Sequence, residues 1–460
     1  MENSTPVAII GGGYAGCAAA VTLAAKGVPC TLFESAPTLG GRGRRVERDG
    51  FLLDNGQHLL LGAYASLLQI IERVGGDRAY ARRPLAITPL VPQQRGALTL
   101  QARRAPGRLG MLIGLLTARG LSWRERIANI TWFRDIERAG FVRPARETVA
   151  QLLAPLPPRV AKLLWEPLNL AALNTPASQA SAQVFANVLR AAFAGRGEDS
   201  DFILPTTDLT AFFPEAAARY VVAHGGTVAM ETRVRIVRAA AGAVTLAADD
   251  RVVTAAAAIV AVGPHQLAHT FAPEALQSHP PLRGALDASE LMAYEPIVTI
   301  WLGYAEALPM PGPVARLDDA PGQWVLDRPD VLLRARADAP KVAQMLAVVI
   351  SASGPHMRLA HDDLVREADA QLRRLWPALA PCAWSFAISE KRATYACTPH
   401  RPRPALRFAP GIYLAGDYMN EDFPATLEAA VRSGITAAEA CAADLAQSSH
   451  AKNASRSSSR

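Results

Sequence analysis

Cysteine is scarce in this sequence, aromatic residues are few and long apolar runs are missing, and each shortage narrows what the chain can be. Its five cysteines (Cys17, Cys30, Cys382, Cys397 and Cys441) are odd in number and are never spaced as CxxC. A disulfide framework and a zinc site are therefore not expected, and the thiols read as the reduced ones of a cytosolic protein. No window holds the roughly 18–20 consecutive apolar residues that a membrane-spanning helix needs. Residues 1–6 lack the basic start of a secretory signal, and the apolar run behind them breaks into glycines. Acidic residues number 41 against 48 basic ones, a net charge of +7. No aromatic-basic module accompanies that excess, so nucleic acid is not an expected partner and anionic lipid headgroups suit the charge better. The expected location is cytoplasmic and peripheral, on the inner face of a membrane. No repeat and no linker rich in glycine and serine divides the chain, yet 460 residues exceed what one core sustains. Residues 448–460 alone have the polar composition of a solvated, mobile tail.

What is present begins at once. Residues 7–10 form an apolar strand, 15–26 an alanine-rich helix and 30–33 a second strand, a βαβ opening. The turn between the first strand and the helix reads Gly11-Gly12-Gly13-Tyr14-Ala15-Gly16, a GxGxxG pattern. Gly11 permits the tight turn, Gly13 lets backbone approach a pyrophosphate, and Gly16 allows helix and strand to pack closely. The amides of Tyr14 and Ala15 then stand at a helix N-terminus, where phosphate is favoured. Glu34 closes the second strand, placed to accept from ribose hydroxyls. Leu39-Gly40-Gly41-Arg42 follows: Gly41 offers a second close backbone approach and Arg42 a charge to set against pyrophosphate.

Two more blocks have the character of a nucleotide-binding sheet. One runs from Gly226 through Val234, Ile236, Val244 and Leu246 to residues 258–262. The other is a strand at 412–414, a turn at Gly416-Asp417, and an apolar helix over about 426–445. Asp417 can accept from a ribityl hydroxyl, and a helix starting near Thr426 and Leu427 aims its amides at a flavin pyrimidine edge, which favours FAD over NAD. Only one GxGxxG occurs, so no second domain for a nicotinamide donor is evident and a separate electron donor is expected.

Residues 11–16, Glu34, Gly40-Gly41-Arg42 and 411–417 together resemble the flavin amine oxidase and carotene desaturase superfamily. The resemblance implies that the backbone at Val234 meets the adenine. The stretch Asp417-Tyr418-Met419-Asn420 lacks the cysteine that links flavin in some amine oxidases, so FAD is expected to be non-covalent. Residues 53–64, with Asn55, Gly56, Gln57 and His58, are similar to a segment that carotene desaturases hold beside the flavin. With Trp165-Glu166-Pro167, residues 169–176 and Lys391-Arg392-Ala393-Thr394, the chain resembles the squalene-associated FAD-dependent desaturases, the hydroxysqualene dehydroxylases of hopanoid biosynthesis.

That resemblance implies an α/β fold: a discontinuous Rossmann-type FAD-binding lobe (1–75, 205–270 and 405–447) with an inserted mixed α+β substrate lobe (76–204 and 271–404). It implies an apolar isoprenoid substrate whose allylic hydroxyl is replaced by hydrogen from reduced FAD. His58 is the first candidate for proton donor, because imidazole titrates in the useful range; Glu166 and Glu390 are the others. Independently, Arg103, Arg104, Arg108 and Arg119 flank an apolar stretch at 109–116 that suits a headgroup boundary. Three readings stay open: the dehydroxylase, an oxidative desaturase or amine oxidase of the same fold, and a non-catalytic isoprenoid-binding escort protein.

Overall fold

A computed structural model describes residues 6–76, 80–91, 97–102, 105, 109–278, 280–290 and 292–458. Arg103, Arg104 and Arg108 of the expected basic rim lie outside the described residues.

Five short segments from distant parts of the chain line up as parallel strands. Val7–Ile10 sits at the centre, between Cys30–Phe33 and Ala258–Val260. Ile412–Leu414 pairs beyond Ala258–Val260, and Thr227–Ala229 beyond Cys30–Phe33. Arg407–Ala409 adds an antiparallel edge to make six strands. The central strands are apolar throughout because both faces are covered, as a parallel sheet requires. On one face, the helix Tyr14–Ala25 is buried nearly all round among Leu209, Val221, Val431 and Ala437. That explains its alanine-rich composition: a helix packed on every side has room only for small residues. On the other face, Ile236, Val244 and Leu246 cover Ile10 and Val260.

Those covering residues belong to a separate antiparallel sheet of Val234–Ala240, Ala243–Ala248 and Arg251–Ala255. Residues 226–262 therefore contribute to two sheets, where the sequence reading put them in one. The alternation of buried and exposed residues along Val234–Ala240 is the period of a strand wetted on one face. The last helix runs Leu427–Ser458, so the segment from 448 is helical up to Ser458 where an irregular tail was expected.

The second lobe is built on a five-stranded antiparallel sheet, in the order Val314–Arg316, Trp324–Asp327, Gln344–Ser351, Tyr294–Tyr304, Cys382–Tyr395. The helix His361–Leu375 packs on one face through Leu364, Ala368 and Leu372. The helical stretch between residues 109 and 193 packs on the other, around Trp132, Phe133, Trp165 and Phe185. The fold is thus α/β, with a parallel Rossmann-like sheet in one lobe and an antiparallel sheet in the other. Among the described residues, no helix is long and apolar enough to cross a membrane, and no group of side chains has the makings of a metal site.

Candidate functional site

A cavity of about 930 Å³ opens where the parallel strands end, lined by residues of all three sheet-forming stretches and by Glu390, Arg392 and Ala393 of the second lobe. Strand ends at a crossover are where open α/β sheets bind ligands.

The floor is a pair of glycine turns. Gly11 has φ of +105°, and a Cβ there would stand 2.7 Å from the Ala261 carbonyl oxygen. A Cβ on Gly16 would meet the Gly11 oxygen at 1.9 Å, so Gly16 lies beneath the cavity wall and does not line it. Gly13 differs: its Cβ would meet nothing nearer than the Gly41 Cα at 3.9 Å. Its missing side chain leaves space on the cavity side. Gly13 also caps the helix Tyr14–Ala25 without a side chain, leaving the first-turn amides of Tyr14 and Ala15 without an intrahelical partner beside the cavity. The turn at Gly40 and Gly41 packs on this floor, with the Gly40 N–H donating to the Gly12 oxygen at 2.9 Å. Glu34 is held by two backbone amides, Gly12 N–H at 2.7 Å and Ala36 N–H at 2.8 Å, which fix its carboxylate at the cavity rim.

At the opposite end, Gly416 donates its N–H to Ser433 Oγ, and a Cβ there would strike the Tyr418 ring at 2.4 Å. Thr426 Oγ1 accepts from the Ala429 N–H and so starts the last helix, with Thr426 and Leu427 on the cavity wall. Val234 lines the cavity from the antiparallel sheet. Arg42 and Asp417 were expected to serve a pyrophosphate and a ribityl hydroxyl respectively. Both line the cavity, and they are also partners of each other, with Arg42 Nη2 2.7 Å from Asp417 Oδ1 and Nη1 donating to the Ala393 oxygen. Burial alone would lower the Arg42 pKa, but the charge and hydrogen bond of Asp417, together with Tyr294 and Glu390, outweigh it and hold the guanidinium above its ordinary value.

Asn55, Gly56 and Gln57 do not line the cavity; they form the shell behind it. Asn55 Nδ2 donates to the Arg42 oxygen and to Glu390 Oε2, at 3.3 and 3.4 Å. The Gln57 N–H donates to Thr299 Oγ1, and its Oε1 accepts from Arg328 at 2.7 Å. Arg328 in turn is buried against Asp54 and Asp330. The expected cofactor contacts of these three thus become supports for the residues in front.

His58 does reach the wall, its Nδ1 3.3 Å from the Gly56 oxygen. Burial lowers its pKa to about 4, helped by the charges of Arg42 and Arg328 and opposed by the Gly56 hydrogen bond. The ring is therefore neutral near pH 7, which weighs against His58 as the proton donor. Glu390 lines the same cavity, whereas Glu166 is exposed and away from it.

Sequence reading missed one wall. His265, Gln266 and His269 line the cavity from the short helix Pro264–Leu267 and the turn after it. Gly263-Pro264 after an apolar strand was the available signal, since proline favours the first position of a helix. His265 Nδ1 is buried with no hydrogen-bond partner among the described residues, a polar atom left for a ligand.

The site therefore fits a dinucleotide on its own geometry: a backbone floor cleared of side chains, helix amides at both ends, and a fixed carboxylate. The comparisons agree. The pattern of the family described as flavin containing amine oxidoreductase matches residues 14–442. A hydroxysqualene dehydroxylase of Sinorhizobium fredii is 26% identical over 94% of this chain and 97% of its own. A probable zeta-carotene desaturase of Synechococcus elongatus is 23% identical over 94% and 98%. Among solved structures, an oxidoreductase of Methanosarcina mazei superposes with a TM-score of 0.74 at 16% identity, covering 94% of this chain and all of its own. With a cavity at the strand ends and a family match spanning residues 14–442, the chain belongs to the flavin-containing amine oxidoreductases.

Proposed function

We propose that this flavin oxidoreductase acts on a C30 isoprenoid and replaces the allylic hydroxyl of hydroxysqualene with hydrogen, giving squalene. The observation that carries the reading is the end-to-end similarity to the Sinorhizobium fredii hydroxysqualene dehydroxylase, which extends over both lobes. The amides of Tyr14 and Ala15, the Gly41 turn, Glu34, Val234 and the start of the last helix would hold FAD without a covalent link. Once bound, the flavin supplies two-electron chemistry.

The net change takes up two electrons and two protons and releases the hydroxyl as water. Loss of hydroxide from carbon is slow unless a proton meets the departing oxygen. With His58 neutral, Glu390 is the carboxyl of the second lobe on the cavity wall, and we assign it that role, which requires it to take up a proton before the oxygen departs. Its anchors are Asn55 Nδ2 and the Arg392 N–H, the latter 3.2 Å from Oε1. The electrons come from a separate donor.

The test is anaerobic incubation with hydroxysqualene and pre-reduced FAD, with squalene and reoxidised flavin as products. Glu390→Gln should keep its flavin and lose turnover. The similarity to a zeta-carotene desaturase favours one second reading, an oxidative desaturase. Absence of squalene, with oxidised FAD introducing a double bond into a more saturated isoprenoid, selects it. A purified protein that is colourless and takes up no FAD would instead leave only the escort reading.

A further inference from the structure

Large apolar side chains are strongly exposed at nine described positions, and five of these fall between residues 109 and 127. Leu109, Ile113 and Leu116 follow the helical spacing of four and three, so they share one face of the helix Leu109–Thr117. The opposite face buries Met111 and Leu115 in the core. Trp123, 61% exposed, and Ile127, 51% exposed, stand one turn apart on the helix Trp123–Arg138.

Arg126 makes the two groups neighbours. Its guanidinium donates to the Leu116 oxygen at 2.8 Å and lies 5.6 Å from the centre of the Trp123 ring. The end of one helix and the start of the next are thereby tied, with the exposed apolar side chains on either side of the tie. Arg119, Arg124 and Arg134 are exposed along the same stretch. Between residues 109 and 134 the sole acid is Glu125. It is occupied in capping its own helix at Ser122 and in pairing with Arg159.

An apolar surface with a tryptophan at its edge and a rim of arginine whose neighbouring acids, Glu125 and Asp135, are paired with Arg159 and Arg138 has the chemistry of a headgroup boundary. We propose that this helix pair docks the protein on a bilayer that carries anionic headgroups, lying in the interface without crossing it. A second copy of the chain is the poorer occupant: a twofold contact here would face arginine with arginine. Nothing in the patch depends on what the cavity binds.

The full chain is mixed with vesicles of phosphatidylcholine, with and without a minority of phosphatidylglycerol, and sedimented. Binding is expected to the anionic vesicles and to weaken as salt rises. Trp123→Ser combined with Ile127→Ser should weaken it by about tenfold or more, because the inserted area is lost. Arg119→Glu combined with Arg124→Glu should abolish the preference for phosphatidylglycerol. All four side chains are exposed, so both variants should melt with the wild type. Should the serine variant unfold, the glutamate pair decides alone. Wild-type protein that ignores both vesicles, or variants that bind as well as it does, overturns the proposal. So does a wild-type dimer that the serine variant dissociates without any vesicle binding.

Discussion

His58 sits where a charge would be costly, and that cost is measurable as a dependence of stability on pH. Its pKa falls from an ordinary 6.5 to about 4, first through burial and then through Arg42 and Arg328. Between those two values the unfolded chain takes up a proton that the folded one refuses, so stability must fall as pH drops through that window. Below it both states carry the proton and the loss stops growing. The full shift corresponds to about 3 kcal/mol, and a half-buried ring beside an open cavity should realise somewhat less. The perturbation is His58→Gln, which keeps a polar side chain and removes the titration. Urea unfolding of both proteins, from about pH 7 down to about pH 4, should show wild type losing about 2–3 kcal/mol more than the variant. Parallel profiles would refute the reasoning, because they would mean the imidazole titrates as it does in water. Catalysis gives a second readout. A group titrating near 4 is protonated in only about one molecule in a thousand at pH 7. Turnover that needed it would climb about tenfold per unit of acidification. Turnover retained in His58→Gln, with the same dependence on pH as the wild type, is the expected result.

Four substitutions test the architecture around the cavity. Gly13→Ala points its methyl into open space, so the protein should melt as wild type while its affinity for FAD drops by about tenfold (about 1.4 kcal/mol), read by flavin fluorescence quenching. Gly16→Ala forces a methyl against the Gly11 oxygen and should instead destabilise the fold by about 1–3 kcal/mol in urea; equal effects of the two on FAD affinity alone would contradict the division. Arg328→Met removes the cation between Asp54 and Asp330 and should cost about 3–5 kcal/mol by the same assay, since Asp54 then lies buried with only the Leu209 N–H as a partner among the described residues, while Asp330 keeps Arg334. Glu428→Ala strips the acceptor from the Ser66 and Leu67 amides and from Arg432, and a fall in stability of about 2–3 kcal/mol is expected.

How much of this could be read in advance depended on whether a residue's job is local. Gly11, Gly13, Glu34 and Gly416 act through their own backbone or a near neighbour, and their spacing in the sequence carries that job. The parallel strands were likewise legible, because four-residue apolar runs between turn residues have few other homes. Arg42 and Asp417 each carried a local signal, but 375 residues separate them, and no periodicity reports a pairing across that distance. The same holds for Asn55 and Gln57, whose partners Glu390 and Arg328 come from the second lobe. Their segment looked like a cofactor loop, yet its polar side chains are consumed in joining the lobes. This has a consequence for the cavity itself. Arg42 bonds at once to Asp417 of the first lobe and to the Ala393 oxygen of the second, while Asn55 bonds to the Arg42 oxygen and to Glu390. The wall that would face a bound flavin is therefore a chain of hydrogen bonds running from lobe to lobe. A ligand that draws Arg42 or Asp417 toward itself must loosen or reorient that chain.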